Sequence, residues 1–594
     1  MKSKLISFFK KNTFIIMGIF VFTIFYIIYI NNSTANIMFQ DQFDLMYILD
    51  KYFSGTLTIY DLWRGHLEHR LFGYNIIFLL NAIIFKYNSY FEFYLGALSL
   101  AITAVLIYVR FKRYVKKEPI HQKVLFYSIS VLILLIIFSL NQWENMVFSL
   151  GMYILLKMCF FVPLFTTVDD LLLKKDKVIK LLIFLFIWLG LSILVFGAGY
   201  SLAMVGGVVL ILIFKAAVDK WRFTKKDILI YTSVLIISAV FLFIYYFNIY
   251  QNNMVVNRES NFDKIIYIFE HWPSAMKYLM LSFSASVFGV SFSDHYLTEG
   301  ISVTIGILLL LVYVFAVYLY VKNKFYERTF IPLLFIFYSV LFYGMILVGR
   351  FDYGTSYGMA SRYVTETQYG LIGVIWIIAM YILRTEKIQF LKFNTLIPML
   401  CIVFIGVGQV LTNIEEVRIS PYRQAYFLDL QRIAHNVDSA TSEELAKFQY
   451  PEPLVRDGIN TMKKYDLSIF KQHKEIVGID GEGFVDGWYA TEDAGRWMAK
   501  NATFVFSDDS KKSMAIKGNV PTVYDEIVLS VFLNNKEIVS KTLYPGDFNL
   551  ELSIPSSSMS EIEFKLSKSF VPSEIKLNED QRELGIFITN LSIE

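Results

Sequence analysis

The chain has 594 residues, of which 56% are hydrophobic and 18% charged, against roughly 45–50% and about 25% in a soluble globular chain. With a mean hydropathy of +0.50, this composition excludes a soluble enzyme, a disordered chain and a fibrous protein, and points to many membrane spans beside some soluble mass. A formal charge of +4 gives no footprint for nucleic acid, and Cys159 and Cys401 both fall in apolar runs, so neither a disulfide framework nor a cysteine metal site is expected.

Apolar runs near 20 residues can cross a hydrocarbon core of about 30 Å as helices. Such runs predict eleven spans, near 13–31, 90–109, 124–140, 151–168, 181–196, 202–215, 228–247, 301–321, 329–348, 369–383 and 394–411. Lys2, Lys4, Lys10 and Lys11 place the N-terminus in the cytoplasm. The clusters Arg110–Lys117, Lys174–Lys180, Lys215–Lys226, Lys322–Arg328 and Arg384–Lys392 then all fall on the cytoplasmic side. This requires 71–87 and 262–292 to lie in the outer interface rather than to cross. No small-residue cleavage site follows the first apolar run, so it is expected to stay as a span.

Three regions are expected: a membrane part over 1–412, a helical connector over 413–474, and a β-sandwich over 475–594. The last expectation rests on short alternating runs such as TFVFS and EIVLSVFLN, separated by turn-like DDS, LNNKE and YPGD. The final span puts everything after 412 outside the cytoplasm.

The unusual polar residues gather in the loops assigned to the outer side. The first holds Asp41-Gln42-Phe43-Asp44 and then His66-Leu67-Glu68-His69-Arg70; the second holds Trp143-Glu144; a later one runs from Gly349-Arg350 to Ser361-Arg362-Tyr363. A carboxylate just past a span, facing histidines and arginines, suits chemistry on an anionic lipid-linked substrate: the acid takes a proton and the cations hold a phosphate. Each group also has a plain structural use. The carboxylates can be solvated, the arginines can cap helices, and His66, Glu68 and His69 can form a polar cluster. Their spacing is not a strong zinc signature. Gly197 and Gly199 suggest a tight turn or close helix packing.

At these residues the sequence resembles the GT-C class of membrane glycosyltransferases, which use polyprenyl-phosphate-linked sugars and carry an acidic motif in the first outer loop. Asp41-Gln42-Phe43-Asp44 occupies that place. His66-Leu67-Glu68-His69-Arg70, Gly349-Arg350 and Ser361-Arg362-Tyr363 resemble the HxEHR and Gly-Arg … Ser-Arg-Tyr elements of bacterial members. There is no WWD-type motif, which sets the chain apart from the oligosaccharyltransferase pattern. In the C-terminal region Gly487-Trp488-Tyr489, Glu492 and Gly495-Arg496-Trp497 resemble a signature of exposed domains in bacterial polysaccharide glycosyltransferases.

The resemblance implies an inverting transfer from a polyprenyl-phosphate sugar to a cell-envelope polysaccharide, at the bacterial cytoplasmic membrane. Asp41 would be the base, with Asp44 as its alternative. Arg350, Arg362, Arg70 and His69 would hold the donor phosphate. His66, Glu68, Trp143, Glu144 and Tyr363 would contact substrate, with Asp44 and Glu68 orienting the acceptor or a divalent cation. Trp488, Glu492, Arg496 and Trp497 would bind acceptor sugar, unless the tryptophans are sandwich core and Glu492–Arg496 an internal pair. No nucleotide is called for. The rival functions are a lipid-linked glycan polymerase or ligase, and a flippase or transporter. The last should carry charges mid-span, where Lys157 is the main exception.

Overall fold

A computed structural model describes residues 2–66, 69–115, 120–174, 177–249, 261–384, 393–470, 483–492, 495–506, 513–553 and 560–593. The described chain forms two compact units, Met1–Thr461 and Met462–Glu594.

The first unit is helical. Ten of its described helices are long and apolar enough to cross a membrane: Asn12–Asn31, Ser89–Tyr114, Lys123–Val147, Leu150–Lys174, Val178–Val195, Ser201–Val218, Lys225–Tyr246, Glu299–Lys322, Ile331–Tyr353 and Thr395–His435. The expected span at 369–383 is the helix Val364–Ile382, buried at almost every residue. Its first turn, Thr365-Glu366-Thr367-Gln368, is polar, which keeps it out of that group although it sits at the heart of the bundle. The run 71–87 forms the 14-residue helix Phe72–Phe85, too short to cross. The run 262–292 is the helix Asn261–Glu270 followed by a pair, Trp272–Ala285 and Val290–Tyr296, that meet at 104°. A bend that sharp is a broken span or a re-entrant loop.

No break occurs at 412. One helix of 43 residues, Phe393–His435, runs through it. At 1.5 Å per residue it is roughly 64 Å long, about twice the hydrocarbon core. Beyond the apolar run it stays helical because an amphipathic face continues: Phe427, Leu430, Ile433 and Ala434 are buried, and Phe427 meets Phe39 edge-on at 5.4 Å.

Two short strands lie in the first unit, β1 (Gly65–His66) and β2 (His69–Arg70), paired antiparallel. The second unit holds β3 (Phe484–Glu492), β4 (Gly495–Phe506), β5 (Ser513–Val520), β6 (Ile527–Leu533), β7 (Lys536–Leu543), β8 (Gly546–Ser553), β9 (Ser560–Leu566) and β10 (Phe587–Ile593). These form one antiparallel sheet in the order β7-β6-β9-β4-β10-β5-β8, with β3 on β4. A sandwich would separate β10-β5-β8 from β9-β6-β7. Here β4 joins them, because its first half pairs with β10 and its second half with β9. The result is barrel-like around a core that includes Met498, Phe504, Ile516, Val531 and Phe564. The β6–β7 hairpin turns at Asn534-Asn535, both at positive φ (48° and 66°), as a two-residue type I′ turn requires.

Candidate functional site

The loops at one end of the helical unit enclose a cavity of about 650 Å³, whose walls include Asp41, His66, Glu144, Arg350, Arg362 and Arg423. Each wall residue is placed by a local rule of the backbone.

Asp41 and Asp44 lie on a 3-10 helix, Gln40–Leu45. With three residues per turn, positions i and i+3 eclipse, so both carboxylates reach the same ring. His66 sits between them, with Nδ1 3.0 Å from Asp44 Oδ2 and Nε2 3.9 Å from Asp41 Oδ2. Asp41 borders the cavity and Asp44 does not. Burial opposes ionisation of Asp44, but the hydrogen bonds from His66 and Tyr450 outweigh it and hold its carboxyl below the usual range.

The β1–β2 hairpin explains the His-x-Glu-His-Arg spacing. His66 pairs with His69 and Gly65 with Arg70. Residues opposite each other share a face and neighbours alternate, so both histidines border the cavity while Arg70 points away. The assignment of Arg70 to the donor phosphate is corrected by its geometry. Arg70 is buried, and its guanidinium donates to the carbonyls of Tyr245 (2.7 Å), Trp63 (2.6 Å) and Phe247 (2.5 Å). Glu68 lies outside the described residues. Gly65 is required because a Cβ there would stand 2.0 Å from the Ile249 carbonyl oxygen.

His69 faces the cavity with its tautomer defined: Nδ1 accepts the Gly199 N–H at 2.9 Å, and the ring stacks on Tyr200. A Cβ on Gly199 would meet that ring at 3.0 Å. The expected turn at Gly197 and Gly199 thus exists to bring a backbone N–H onto His69.

On the opposite wall Glu144 accepts from Arg362 Nη2 (2.8 Å), the Arg362 backbone N–H (2.9 Å) and the Ser361 hydroxyl (2.6 Å). Burial opposes the charge on Arg362, yet Glu144 outweighs it and holds the guanidinium firmly protonated. Arg350 donates to the Tyr363 hydroxyl at 3.1 Å and to the Gly349 carbonyl at 2.9 Å. Glu144 therefore anchors a cation as well as bordering the cavity, and Tyr363 orients Arg350.

Two charged wall residues were not anticipated. Arg423, on the long helix beyond residue 412, stacks over Trp143 at 3.9 Å and pairs with buried Glu416. Glu366 borders the cavity and forms a fully buried ion pair with Lys157. A signal for Arg423 was present: Tyr422, Tyr426 and Phe427 surround it, an aromatic density unusual in a polar connector. Glu366 gives none, because an acid in the first turn of a helix reads as a partner of the helix dipole. Among the described residues no group of three or more His, Cys, Asp or Glu is arranged to hold a metal ion.

In the sheet unit Trp488 is only partly exposed. Its indole N–H donates to the Thr503 carbonyl at 2.8 Å, and its ring meets Phe484 and Phe564 edge-on. Trp497 meets Phe570 and Phe587 in the same way. Glu492 pairs with Arg582 at 3.0 Å rather than with Arg496, whose guanidinium lies over the Phe484 ring at 4.2 Å. The two strands put residues 492 and 496 in a hairpin, where helical i, i+4 spacing has no meaning.

No protein-family profile matches the chain, and no curated protein is similar to it in sequence. One solved structure, titled as a novel family GH115 4-O-methyl-alpha-glucuronidase with specificity for decorated arabinogalactans, is 11% identical over 32% of this chain and 30% of its own length, with a TM-score of 0.13. The chain thus spans under a third of that structure, and a score so low carries no argument about fold or activity.

Proposed function

We propose that the chain is an inverting glycosyltransferase of GT-C type. It moves a sugar from a polyprenyl-phosphate donor to a cell-envelope polysaccharide or other glycopolymer, on the outer face of the bacterial cytoplasmic membrane. Asp41 takes the proton of an acceptor hydroxyl, which displaces the phosphate from C1 of the sugar and inverts that centre. Arg350 and Arg362 hold the leaving phosphate. The prenyl chain lies along the apolar wall of Val147, Phe148, Leu150, Ile154, Phe342 and Met345, where buried apolar area contributes to binding.

The observation that carries this reading is the meeting of Asp41 with Arg350 and Arg362 in one cavity, from loops some three hundred residues apart in sequence. A base and an anion site at the rim of an apolar bundle suit an amphipathic donor. The lysine and arginine asymmetry supports a cytoplasmic N-terminus. A cysteine placed at exposed Thr56 should then react with an impermeant reagent on intact cells; reaction only after lysis would reverse the orientation.

The deciding experiment compares wall glycopolymer from cells with and without the protein, and transfer from synthetic prenyl-phosphate sugars in vitro. Loss of one side-chain sugar is expected, with transfer by Asp41→Asn falling roughly 10²–10⁴-fold. An unchanged polymer would rule the reading out. The buried Lys157–Glu366 pair favours a second reading, a transporter of lipid-linked sugar. Normal function in both Asp41→Asn and Asp44→Asn would select it.

A further inference from the structure

His66 presents an unusual edge to the cavity. Its side chain is 9% exposed, and Asp44 holds Nδ1 at 3.0 Å. Nε2 is buried with no hydrogen-bond partner, and the nearest carboxylate oxygen, Asp41 Oδ2, is 3.9 Å away, too far for a bond. Buried polar atoms are seldom left unmet. Both His66 and Asp41 border the cavity.

The 3.9 Å separation lets a single oxygen beside the two atoms bond to both. An oxygen about 2.8 Å from both Nε2 and Oδ2 would see them at an angle of about 90°, which two hydrogen bonds at one oxygen tolerate. That atom must accept from an N–H and donate to a carboxylate. A hydroxyl does both. A phosphate oxygen only accepts and would face the Asp41 charge, whereas an ammonium only donates and would leave Nε2 unmet.

We propose that the gap between Asp41 and His66 seats the attacking hydroxyl of the acceptor sugar, with Asp44 as the positioning residue that fixes the imidazole. This rests on the glycosyltransferase reading above. The hydroxyl gives its proton to Asp41 Oδ2 and accepts the His66 N–H on one lone pair. The other lone pair forms the new bond to C1 of the donor sugar, as the C1–O bond to phosphate breaks and the phosphate leaves with its electron pair.

The charge state decides the roles. Burial disfavours a charge on His66, but the negative charges of Asp41 and Asp44 and the hydrogen bond to Asp44 outweigh it and raise its pKa above the ordinary value. Among the described residues, the other charged or titratable groups around this cluster include Arg64, Tyr47 and Tyr450, with His69 opposite His66 in the hairpin. At neutral pH the ring thus carries both protons. It is a donor and not a base, which leaves proton removal to Asp41.

The test uses full-length protein in lipid nanodiscs, with synthetic prenyl-phosphate sugar as donor and isolated wall glycopolymer as acceptor. Nitrogen NMR of ring-labelled histidine, assigned by His66→Gln, should show His66 doubly protonated at pH 7. Asp44→Asn should lower the pH at which it loses a proton. His66→Phe, which removes the donor, should raise KM for the polymer roughly ten-fold or more and leave KM for the prenyl-phosphate sugar unchanged. His66→Gln, whose amide reaches the Nε2 position, should restore most of the polymer KM. Water shares the hydroxyl's bonding pattern, and this acceptor-specific KM change separates the two. A neutral ring at pH 7, or equal KM changes for both substrates, overturns the proposal. Absence of transfer by the unaltered protein overturns the glycosyltransferase reading instead, while the ring's charge at pH 7 still decides whether His66 is a donor.

Discussion

Glu144 grips Arg362 at both ends of the residue: Oε1 takes the guanidinium at 2.8 Å, and Oε2 takes the backbone N–H at 2.9 Å. A carboxylate from one loop thereby sets both the position of the loop at 361–363 and the aim of its cation. Without Glu144 the arginine would lose its aim, and the burial of its charge would go uncompensated.

A double-mutant cycle should expose this dependence. Arg362→Ala removes the cation, and Glu144→Ala releases it. If Glu144 acts through Arg362, the double variant transfers no worse than Arg362→Ala, with a coupling of roughly 1.5–3 kcal/mol, the range for a charge-assisted bond. Strictly additive losses in transfer rate would mean that Glu144 touches substrate on its own account.

Arg70 and Arg350 should behave in opposite ways. Arg70 satisfies three backbone carbonyls, and a lysine, with one compact ammonium, cannot reach all three. Both Arg70→Lys and Arg70→Ala should lower folded yield, with roughly 1–3 kcal/mol lost where the buried Tyr245 carbonyl is left unmet. Arg350→Ala should fold and instead weaken donor handling. A well-folded Arg70→Ala with impaired donor binding would return Arg70 to the phosphate site.

His66 with its two flanking carboxylates, Asp41 and Asp44, makes stability depend on pH, in a window set by the shifts of His66 and Asp44. The His66 pKa is raised to about 9, so its contribution is complete below the unfolded value of about 6.5 and is lost as pH rises through 9. The Asp44 pKa is lowered, so its contribution is present above the unfolded value of about 3.9 and is lost as pH falls through the folded one. The cluster is thus worth most between about pH 4 and 6.5. A His66 shift of this size corresponds to about 3 kcal/mol, divided between its interactions with Asp41 and Asp44. The apparent Tm of the unaltered protein should fall between pH 6.5 and 9.5 more steeply than that of His66→Gln. Parallel curves would refute the coupling.

Trp488 tests whether the sheet unit uses its signature residues for binding or for folding. Its N–H is tied to Thr503 and its ring to Phe484 and Phe564. Trp488→Ala should therefore cost about 3–5 kcal/mol and expose the sheet to proteolysis, while Trp488→Phe should lose less. An unchanged proteolysis rate with reduced retention of wall polymer would restore the sugar-binding role.

The parts of this molecule legible in the sequence are those governed by local rules. Spans such as Asn12–Asn31 and Glu299–Lys322 announce themselves because lipid demands an unbroken apolar run. The loops that enclose the cavity were legible as a group, through their polar residues and, at 141–150, 196–201 and 349–363, their lack of lysine. Local rules fail where a partner is distant. Glu366 meets Lys157 across more than two hundred residues, and no spacing reveals such a pair. Arg423 falls beyond the expected bundle because the apolar run ends near 412 while the helix continues, held by packing of Phe427 on Phe39, and only the aromatic residues around it mark it in the sequence. Arg70 parts from His69 because adjacent residues of a strand face opposite sides, which spacing in sequence does not reveal.

The Lys157–Glu366 pair separates enzyme from transporter. Both side chains are fully buried, with the Tyr338 hydroxyl on Glu366 and the Tyr200 ring against Lys157. Removing one partner strands a charge, so Lys157→Met should cost about 3–5 kcal/mol and reduce folded protein. Lys157→Met combined with Glu366→Gln removes both charges and keeps an acceptor for Tyr338, and replacing a buried pair in this way is often close to neutral. The double variant should therefore fold. If the pair only holds the bundle under the cavity, transfer should stay within about ten-fold of normal, because Asp41, Arg350 and Arg362 are untouched. If the charges move with a cargo, the folded double variant should fail completely. Transfer assayed beside translocation of a fluorescent lipid-linked sugar in proteoliposomes distinguishes the two. Intact transfer supports the enzyme, whereas a folded variant that has lost translocation in a protein that never showed transfer establishes the transporter.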